Sequence, residues 1–405
     1  MHLIVVGQGY VGLPLAINAA KAGFTVYGFD IDKGKVNKLK LGITESPEVT
    51  KADLIDLQSS GKIEFTSTIP KLSEPAIFVI AVPTPLNALR KPDLSMLKRA
   101  CKLISSVAVR GSLIINESTS YIGTLNQLIK PLIESITGLK SLDYAVAPER
   151  IDPANTKWSM KTTPRIVAGI NEQSTERVLE FYSKLCDQVY VVSNPEVAEA
   201  AKLFENTFRQ VNIALVNELS QVASQLKFST HEAINAAATK PYGFMPFYPS
   251  IGVGGHCIPV DPNYLKYSAD LAGVSTNFIN LANEINLAAS QNIANRINIA
   301  MGGSLIGKKI QVAGIAYKPN VADLRESPAL LLIEYLGDLG GIITWHDPLV
   351  EHWNNQNSSP LTPNIDLGLI LTPHDQIDFS IWKNSNTKVL DLSANSQNYG
   401  WPKFL

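Results

Sequence analysis

The chain has 405 residues, 45% of them hydrophobic and 18% charged, with a formal net charge of -1. That length exceeds what one hydrophobic core organises and predicts two or three domains. The balanced charge offers no basic surface for nucleic acid and no acidic tail. Cys101, Cys186 and Cys257 are odd in number and far apart, which argues against both a disulfide framework and a structural zinc site. No metal is therefore expected. The first apolar run, residues 3–6, is too short for a signal peptide or a membrane span, and no later run reaches that length. The expectation is a cytoplasmic protein without membrane contact.

The chain opens with HLIVVGQGYVGLPLAINAAKAGFTVYGFDID. An apolar strand at 3–6 enters Gly7-x-Gly9-x-x-Gly12, a helical pattern follows to Ala22, and a second strand at 25–29 ends on Asp30. Glycine-rich turns are common, but this one has the context of a dinucleotide fingerprint: strand, helix, strand, then an acid eighteen positions past the last glycine. Gly7 permits the turn, Gly9 admits a pyrophosphate, Gly12 lets helix and strand pack closely, and the helix N-terminus offers free N–H groups to the anion. Asp30 would bind ribose hydroxyls and repel a 2′-phosphate, which favours NAD over NADP. Lys33 and Lys35 argue the other way.

Further strands are expected at 76–82, 112–117 and 141–147, in a parallel sheet. They end in Val82-Pro83-Thr84-Pro85, Glu117-Ser118-Thr119-Ser120 and Ala147-Pro148-Glu149-Arg150, on the edge of an open α/β sheet where ligands bind. Taken singly, such hydroxyls more often cap the next helix. From Asn194 to Ser224 a long helical pattern carries Lys202 and Asn206 one turn apart on one face. Lysine on a helix is usually solvated, yet Ala198, Ala201, Leu203 and Phe204 make this segment largely apolar.

The stretch 248–265, YPSIGVGGHCIPVDPNYL, places Cys257 after Gly254, Gly255 and His256, with Asp261 four residues later. Pro259 and Pro262 are expected to keep it from continuing as regular helix or central strand. Taken alone, the cysteine divides evenly between packing in a tight turn and reacting from a loop. A second long helical pattern covers 277–300 and could join domains or pack against a second subunit. A smaller α/β unit follows, with strands at 310–317, 342–345, 365–371 and 389–392 and a helix at 327–337. Lys318 ends its first strand and Arg325 precedes its helix, where a phosphate would be held. The bland alternative is an Arg325–Asp323 or Arg325–Glu326 surface pair.

Taken together, GQGYVGLP, VPTP, ESTS, APERIDP, AAKLFENTFRQVNIALVNE, GVGGHCIPVDPNYL and GIAYKPNVADLRESP resemble the UDP-sugar 6-dehydrogenases over nearly the whole chain. The resemblance implies two Rossmann-like parallel-sheet domains joined by a central helical region: an NAD-binding domain at 1–192, a dimerisation region at 193–300 and a UDP-binding domain at 301–405. It implies a four-electron oxidation of a sugar C6 hydroxymethyl to a carboxylate, two NAD consumed, through a thiohemiacetal and a thioester on Cys257. Lys202 and Asn206 would then stabilise the C6 oxygen, while Asp261, Thr119 and Glu149 would position water and move protons. Gly7, Gly9, Tyr10, Val11, Gly12, Asp30, Thr84, Pro85, Thr119 and Arg325 would contact NAD. Glu149, Arg150, Lys202, Asn206, Tyr248, Gly252, Gly254 and Lys318 would contact the substrate.

Some positions depart from the family pattern. Arg150, Ile151 and Pro153 replace the pattern and second glutamate of the UDP-glucose branch, and with His256 they resemble the N-acetylhexosamine branch. KPYGFMPFYP (240–249) is similar to UDP-N-acetylglucosamine enzymes, with UDP-N-acetylmannosamine and UDP-glucose as alternative substrates. This segment lacks the arginine that many relatives contribute across the dimer, and Ser393 stands where relatives often carry an arginine for the UDP end. A non-catalytic NAD sensor is disfavoured by the joint presence of Cys257, Lys202, Asn206 and Asp261. A Cys257–His256 hydrolase is disfavoured because adjacent residues on an extended loop point apart.

Overall fold

Alternation at the start of the chain sets up the first unit. In β1 (His2–Val6), Leu3 and Val5 pack into one core, and Ile4 and Val6 into another on the opposite face. A strand buried on both faces needs a layer of helices on each side. The structure, a computed structural model, describes residues 2–44, 46, 48–151, 157–255 and 257–405. Pro153 and His256 lie outside the described residues.

The chain divides into two compact units, Met1–Glu205 with Asn263–Val274, and Asn206–Pro262 with Ser275–Leu405. In the first, β1 leads to α1 (Gly12–Lys21), β2 (Thr25–Phe29), α2 (Lys33–Lys40), α3 (Lys51–Ser59), β3 (Ile63–Thr66) and β4 (Ile77–Ile80). Next come α4 (Ser95–Ser105), β5 (Leu113–Asn116), a π-helical turn (Leu125–Ile129), α5 (Lys130–Thr137), β6 (Asp143–Val146), β7 (Arg165–Gly169), α6 (Glu172–Ser183) and β8 (Val189–Val191). Local chemistry fixes several boundaries. Thr50 and Asp53 form a capping box at α3, Asn171 caps α6, and left-handed Gly138 ends α5.

The sheet order is β3-β2-β1-β4-β5-β6-β7-β8. All pairs are parallel except β6–β7, where no helix intervenes among the described residues to carry the chain across. The order reverses beside β1, and register pairs Val6 with both Phe29 and Ile80. The loops after β1, β2 and β4 therefore leave the sheet at one level, at the switch point where open sheets bind ligands. Strands β3, β7 and β8 were not among the sequence expectations.

The long helix α7 (Pro195–Leu226) runs from one unit into the other. Then follow α8 (Thr230–Ala238), α9 (Asp261–Leu271), α10 (Asn277–Ala300), β9 (Lys309–Ala313), α11 (Pro328–Asp338) and β10 (Ile342–His346). A short ribbon of β11 (His352–Trp353) and β12 (Gln356–Asn357), then β13 (Leu367–Ile370), α12 (Ser380–Lys383) and β14 (Val389–Asp391), complete the second unit. Its main sheet is fully parallel in the order β10-β9-β13-β14. Ile310 and Val312 of β9 pack with Leu332 and Leu336 of α11. Contrary to the expectation drawn from its prolines, a helix begins at Asp261. Pro262 falls in the first turn, where its missing N–H costs no intrahelical bond.

Candidate active site

In the first unit, the turn after β1 is shaped by close approach. A Cβ on Gly12 would stand 1.9 Å from the Gly7 carbonyl oxygen, so α1 can begin this near the strand only with glycine there. A Cβ on Gly9 would meet nothing within 4 Å, and Gly9 is exposed: the backbone here faces open space. The first turn of α1 carries no acidic residue, leaving the positive end of the helix dipole available to an anion. Buried Asp30 ends β2 and accepts hydrogen bonds from the Gln8 amide at 3.0 Å and the Asp32 amide at 3.0 Å. Lys35 reaches the same carboxylate at 3.3 Å. Glycine cradle, free helix end and acidic strand end fit NAD. Tyr10 and Val11 lie in the turn itself.

The other two strand-end loops are tied together. Ser118 Oγ accepts from the Val82 amide at 2.9 Å and donates to the Val82 carbonyl at 2.8 Å, so this hydroxyl joins loops instead of capping a helix. The buried Tyr264 hydroxyl donates to the Thr84 carbonyl at 3.1 Å, while Pro85 is exposed. Asn116, Ser118, Thr119, Ser120, Pro148, Glu199 and Lys202 line one shallow cleft. Lys202 is 8% exposed there, an unusual degree of burial for a lysine on a helix.

Glu149 accepts from the amides of Arg150 and Ile151, both at 2.6 Å, and pairs with Arg165 at 2.7 Å. Arg165 also approaches Glu117 at 3.4 Å and lies over the Tyr182 ring, whose hydroxyl donates to Glu117. Burial pushes the Glu117 carboxyl up against the pull of Arg165. Arg150 directs its guanidinium to Glu205 at 2.6 Å and to the Pro164 carbonyl at 2.8 Å. Sequence reading named Glu149 and Arg150 and missed Arg165, Tyr182 and Glu205. No spacing signal connects them, because strand pairing and packing bring them together.

Glu199 was also missed. It lies one turn before Lys202 on α7, is 3% exposed, and accepts from the amides of Gly123 at 2.5 Å and Leu125 at 3.1 Å. It thus closes the N-terminal end of the π-helical turn that follows the Thr119 loop. Burial raises its carboxyl from 4.5 to about 8, with the two amides pulling the other way. A raised folded-state pKa means the folded protein binds more protons than the unfolded chain between those values, so stability falls as pH rises through the window. Replacing Glu199 by Gln is expected to flatten that slope. Between about pH 5 and 9 the variant's stability should change less with pH than wild type's. Denaturant melts from about pH 5 to 9 check this, and parallel slopes for the two proteins contradict it.

In the second unit, the Cys257 carbonyl accepts from the amides of Val260 at 3.1 Å and Asp261 at 2.8 Å, so the half-buried cysteine leads directly into α9. Asp261, 1% exposed, accepts from the Asn206 side chain at 2.5 Å. The structure brings these two sequence-predicted residues into contact. Gly255 has φ +84, and a Cβ there would stand 2.8 Å from the Tyr317 ring. One on Gly254 would meet Pro328 and Tyr317 at 2.9 Å. The glycines let the cysteine loop lie against the segment between β9 and α11, and the Gly255 amide donates to the Arg325 carbonyl at 3.1 Å. Gly252, with φ +140, packs on Pro328 in the same way.

Arg325 is exposed and forms a forked pair with buried Asp323, with contacts of 2.5–3.0 Å, the bland alternative weighed for it. Tyr248 stacks on His231 and donates to Asn235 at 2.7 Å. Lys318 is half-buried just beyond β9. Ser393, at the end of β14, donates to Asp391 and accepts from Lys403 at 2.5 Å. Among the described residues no cluster of three or more His, Cys, Asp or Glu is arranged to hold a metal ion, and no helix is long and apolar enough to cross a membrane.

A glycine cradle with an acidic strand end, on a doubly wound sheet, defines a dinucleotide-binding class of protein. Residues 1–186, 196–288 and 311–394 match, in order, the NAD binding, central and UDP binding domain models of the UDP-glucose/GDP-mannose dehydrogenase family. The UDP-N-acetyl-D-glucosamine 6-dehydrogenase of Pseudomonas aeruginosa is 33% identical over 370 residues, 90% of this chain and 86% of that protein. The UDP-N-acetyl-D-mannosamine dehydrogenase of Pyrococcus horikoshii is 34% identical over 396 residues, 95% of this chain and 92% of that one. A solved UDP-D-ManNAc dehydrogenase structure from Pyrococcus horikoshii superposes with a TM-score of 0.88 at 32% identity, covering 99% of this chain and 98% of that one. The chain belongs to the UDP-glucose/GDP-mannose dehydrogenase family and is an NAD-dependent UDP-sugar 6-dehydrogenase.

Proposed function

We propose that the chain oxidises the C6 hydroxymethyl of a UDP-N-acetylhexosamine, UDP-N-acetylglucosamine in particular, to the carboxylate for polysaccharide precursor synthesis. The observation that carries the reaction chemistry is the second-unit arrangement in which Cys257 opens the turn to a buried Asp261 held by Asn206. NAD supplies the hydride acceptor for both oxidations. The Cys257 thiolate adds to the C6 aldehyde left by the first oxidation, giving a thiohemiacetal whose oxidation leaves a thioester. Water attacks that carbonyl, the C–S bond breaks, and the carboxylate and free thiol are released. Lys202 and Asn206 stabilise the negative charge that develops on the C6 oxygen. Asp261 and Thr119 position the water and the proton transfer, with the Asp261 carboxylate as the group able to accept the proton. Glu149, anchored by Arg165, holds the Arg150 loop in place and stands as a further base. Arg150, Tyr248, Gly252, Gly254 and Lys318 contact the substrate. Thr84, Pro85 and Arg325 join the glycine turn and Asp30 at the cofactor.

The names of the relatives support an N-acetylated sugar, and the segment 240–249 favours the gluco epimer. Incubating the enzyme with NAD and UDP-N-acetylglucosamine, UDP-N-acetylmannosamine and UDP-glucose tests this. The first should turn over fastest, with two NADH formed per sugar. Faster turnover of UDP-glucose overturns the N-acetylhexosamine reading, faster turnover of the manno epimer overturns the epimer, and one NADH per sugar overturns the double oxidation.

The functional division we propose is 1–192 for NAD, 193–300 for dimerisation and 301–405 for UDP. A homodimer is supported by a stripe on α7: Phe208, Leu215, Val222 and Leu226 are 41%, 62%, 45% and 69% exposed at seven- and four-residue spacing. Leu215→Asp is expected to halve the mass measured by light scattering, because burying a carboxylate in an apolar seam is costly. A wild-type protein of one-chain mass defeats the dimer.

A further inference from the structure

Lys318 occupies a short segment that is fastened on both sides to one buried carboxylate. Asp347 follows β10 and is 2% exposed. Its Oδ2 accepts from the amides of Ile315 at 2.9 Å and Ala316 at 3.2 Å, the residues just before Tyr317 and Lys318. The same oxygen lies 3.0 Å from Nε2 of His374, whose side chain is fully buried beyond β13. The other ring nitrogen, Nδ1, accepts from the Asn320 amide at 2.8 Å, two residues past Lys318. A ring nitrogen that accepts an amide proton carries none, so the ring proton sits on Nε2 and points at Asp347. Asp347 Oδ1 is engaged by the Leu349 amide at 2.9 Å. Burial alone would push the Asp347 carboxyl up, yet the histidine and these amides hold it below its usual value.

Asn320 adopts φ +63, an uncommon conformation for a residue other than glycine. It is held there by its side chain, which donates to Asp375 at 2.9 Å and accepts from the Asp375 amide at 3.0 Å. The Ala316 carbonyl is anchored by Thr372 Oγ1 at 2.7 Å. A loop with its backbone polar groups so engaged presents its side chains in one arrangement. That arrangement is set by elements some thirty to sixty residues away in sequence.

We propose that Asp347 and His374 form a positioning pair that fixes the Lys318 segment for binding the UDP-sugar. The pair touches no substrate and acts through the backbone on either side of Lys318. The inference rests on the reading that Lys318 contacts the substrate, and a double-mutant cycle separates the two. In the full-length enzyme, with the UDP-sugar it turns over fastest, Lys318→Ala is expected to raise KM about tenfold. His374→Leu is expected to raise KM by a similar factor while leaving kcat and the affinity for NAD within about twofold. Because both changes act on one contact, the double variant should lose no more than about twofold beyond the worse single variant. His374→Gln, which keeps an acceptor and a donor, should recover most of the KM. If Lys318→Ala leaves KM unchanged, the substrate role of Lys318 fails. If Lys318→Ala raises KM but His374→Leu does not, or if the two losses multiply, the positioning pair fails. Should the leucine variant not fold, Asp347→Asn is read by the same cycle with the same outcomes.

Discussion

Cys257→Ser is expected to lower carboxylate formation by about 10³-fold or more while leaving the fold intact. The structural part of that expectation comes from what the residue contributes as backbone. Its carbonyl receives the Val260 and Asp261 amides, and serine keeps both bonds. The side chain is smaller by little, and the position is half-buried, so neither a large cavity nor a lost core contact follows. The chemical part is the large difference between a thiol and an alcohol. A thiol reaches its nucleophilic anion near neutral pH, whereas an alcohol does not without a strong base. A serine ester, moreover, would be poorly set to accept and release the C6 carbon at useful rates. The measurement is the rate of uronate formation and the NADH-to-sugar ratio, with melting temperature as the control. Wild-type rates with two NADH per sugar in the serine variant would end the covalent mechanism.

Lys202→Met should cost about 10²–10³-fold in kcat, the usual loss when one donor to a developing oxyanion is removed. Methionine has a similar length and no charge, so it preserves the packing of a side chain that is 8% exposed. Leu203 and Ala198 beside it are fully buried, which keeps the helix seated whichever residue is present. A charge-stabilising role predicts a fall mainly in kcat, since the interaction strengthens in the transition state. A kcat within about threefold of wild type would remove Lys202 from the chemistry. A rise in KM alone would make it a binding group only.

The dinucleotide cradle was legible because every part is local: strand, turn, helix and acidic strand end follow one another within thirty residues. That Lys202 and Asn206 stand one turn apart on one helix was legible for the same reason, four residues being about one helical turn. The helix at Asp261 was hidden by its own prolines, since Pro262 reads as a breaker until its place in the first turn is seen. Strands β7 and β8 were hidden by the pattern around them: Arg165 opens β7 with a buried charge, and β8 has only three residues.

What the sequence determined by itself is which groups are available: a glycine-rich turn at Gly7–Gly12, a cysteine beside two glycines at Cys257, polar residues one turn apart on a helix, and a lysine at 318 in the segment between β9 and α11. Only the tertiary structure decided how these groups are held. Arg165 reaches Glu149 and Glu117 from a neighbouring part of the sheet. Glu199 closes a turn more than seventy residues earlier, and Asp347 and His374 grip both flanks of Lys318. The reason is physical. Buried polar and charged groups must find their compensating partners wherever folding places them, and such partners leave no periodic mark in the chain.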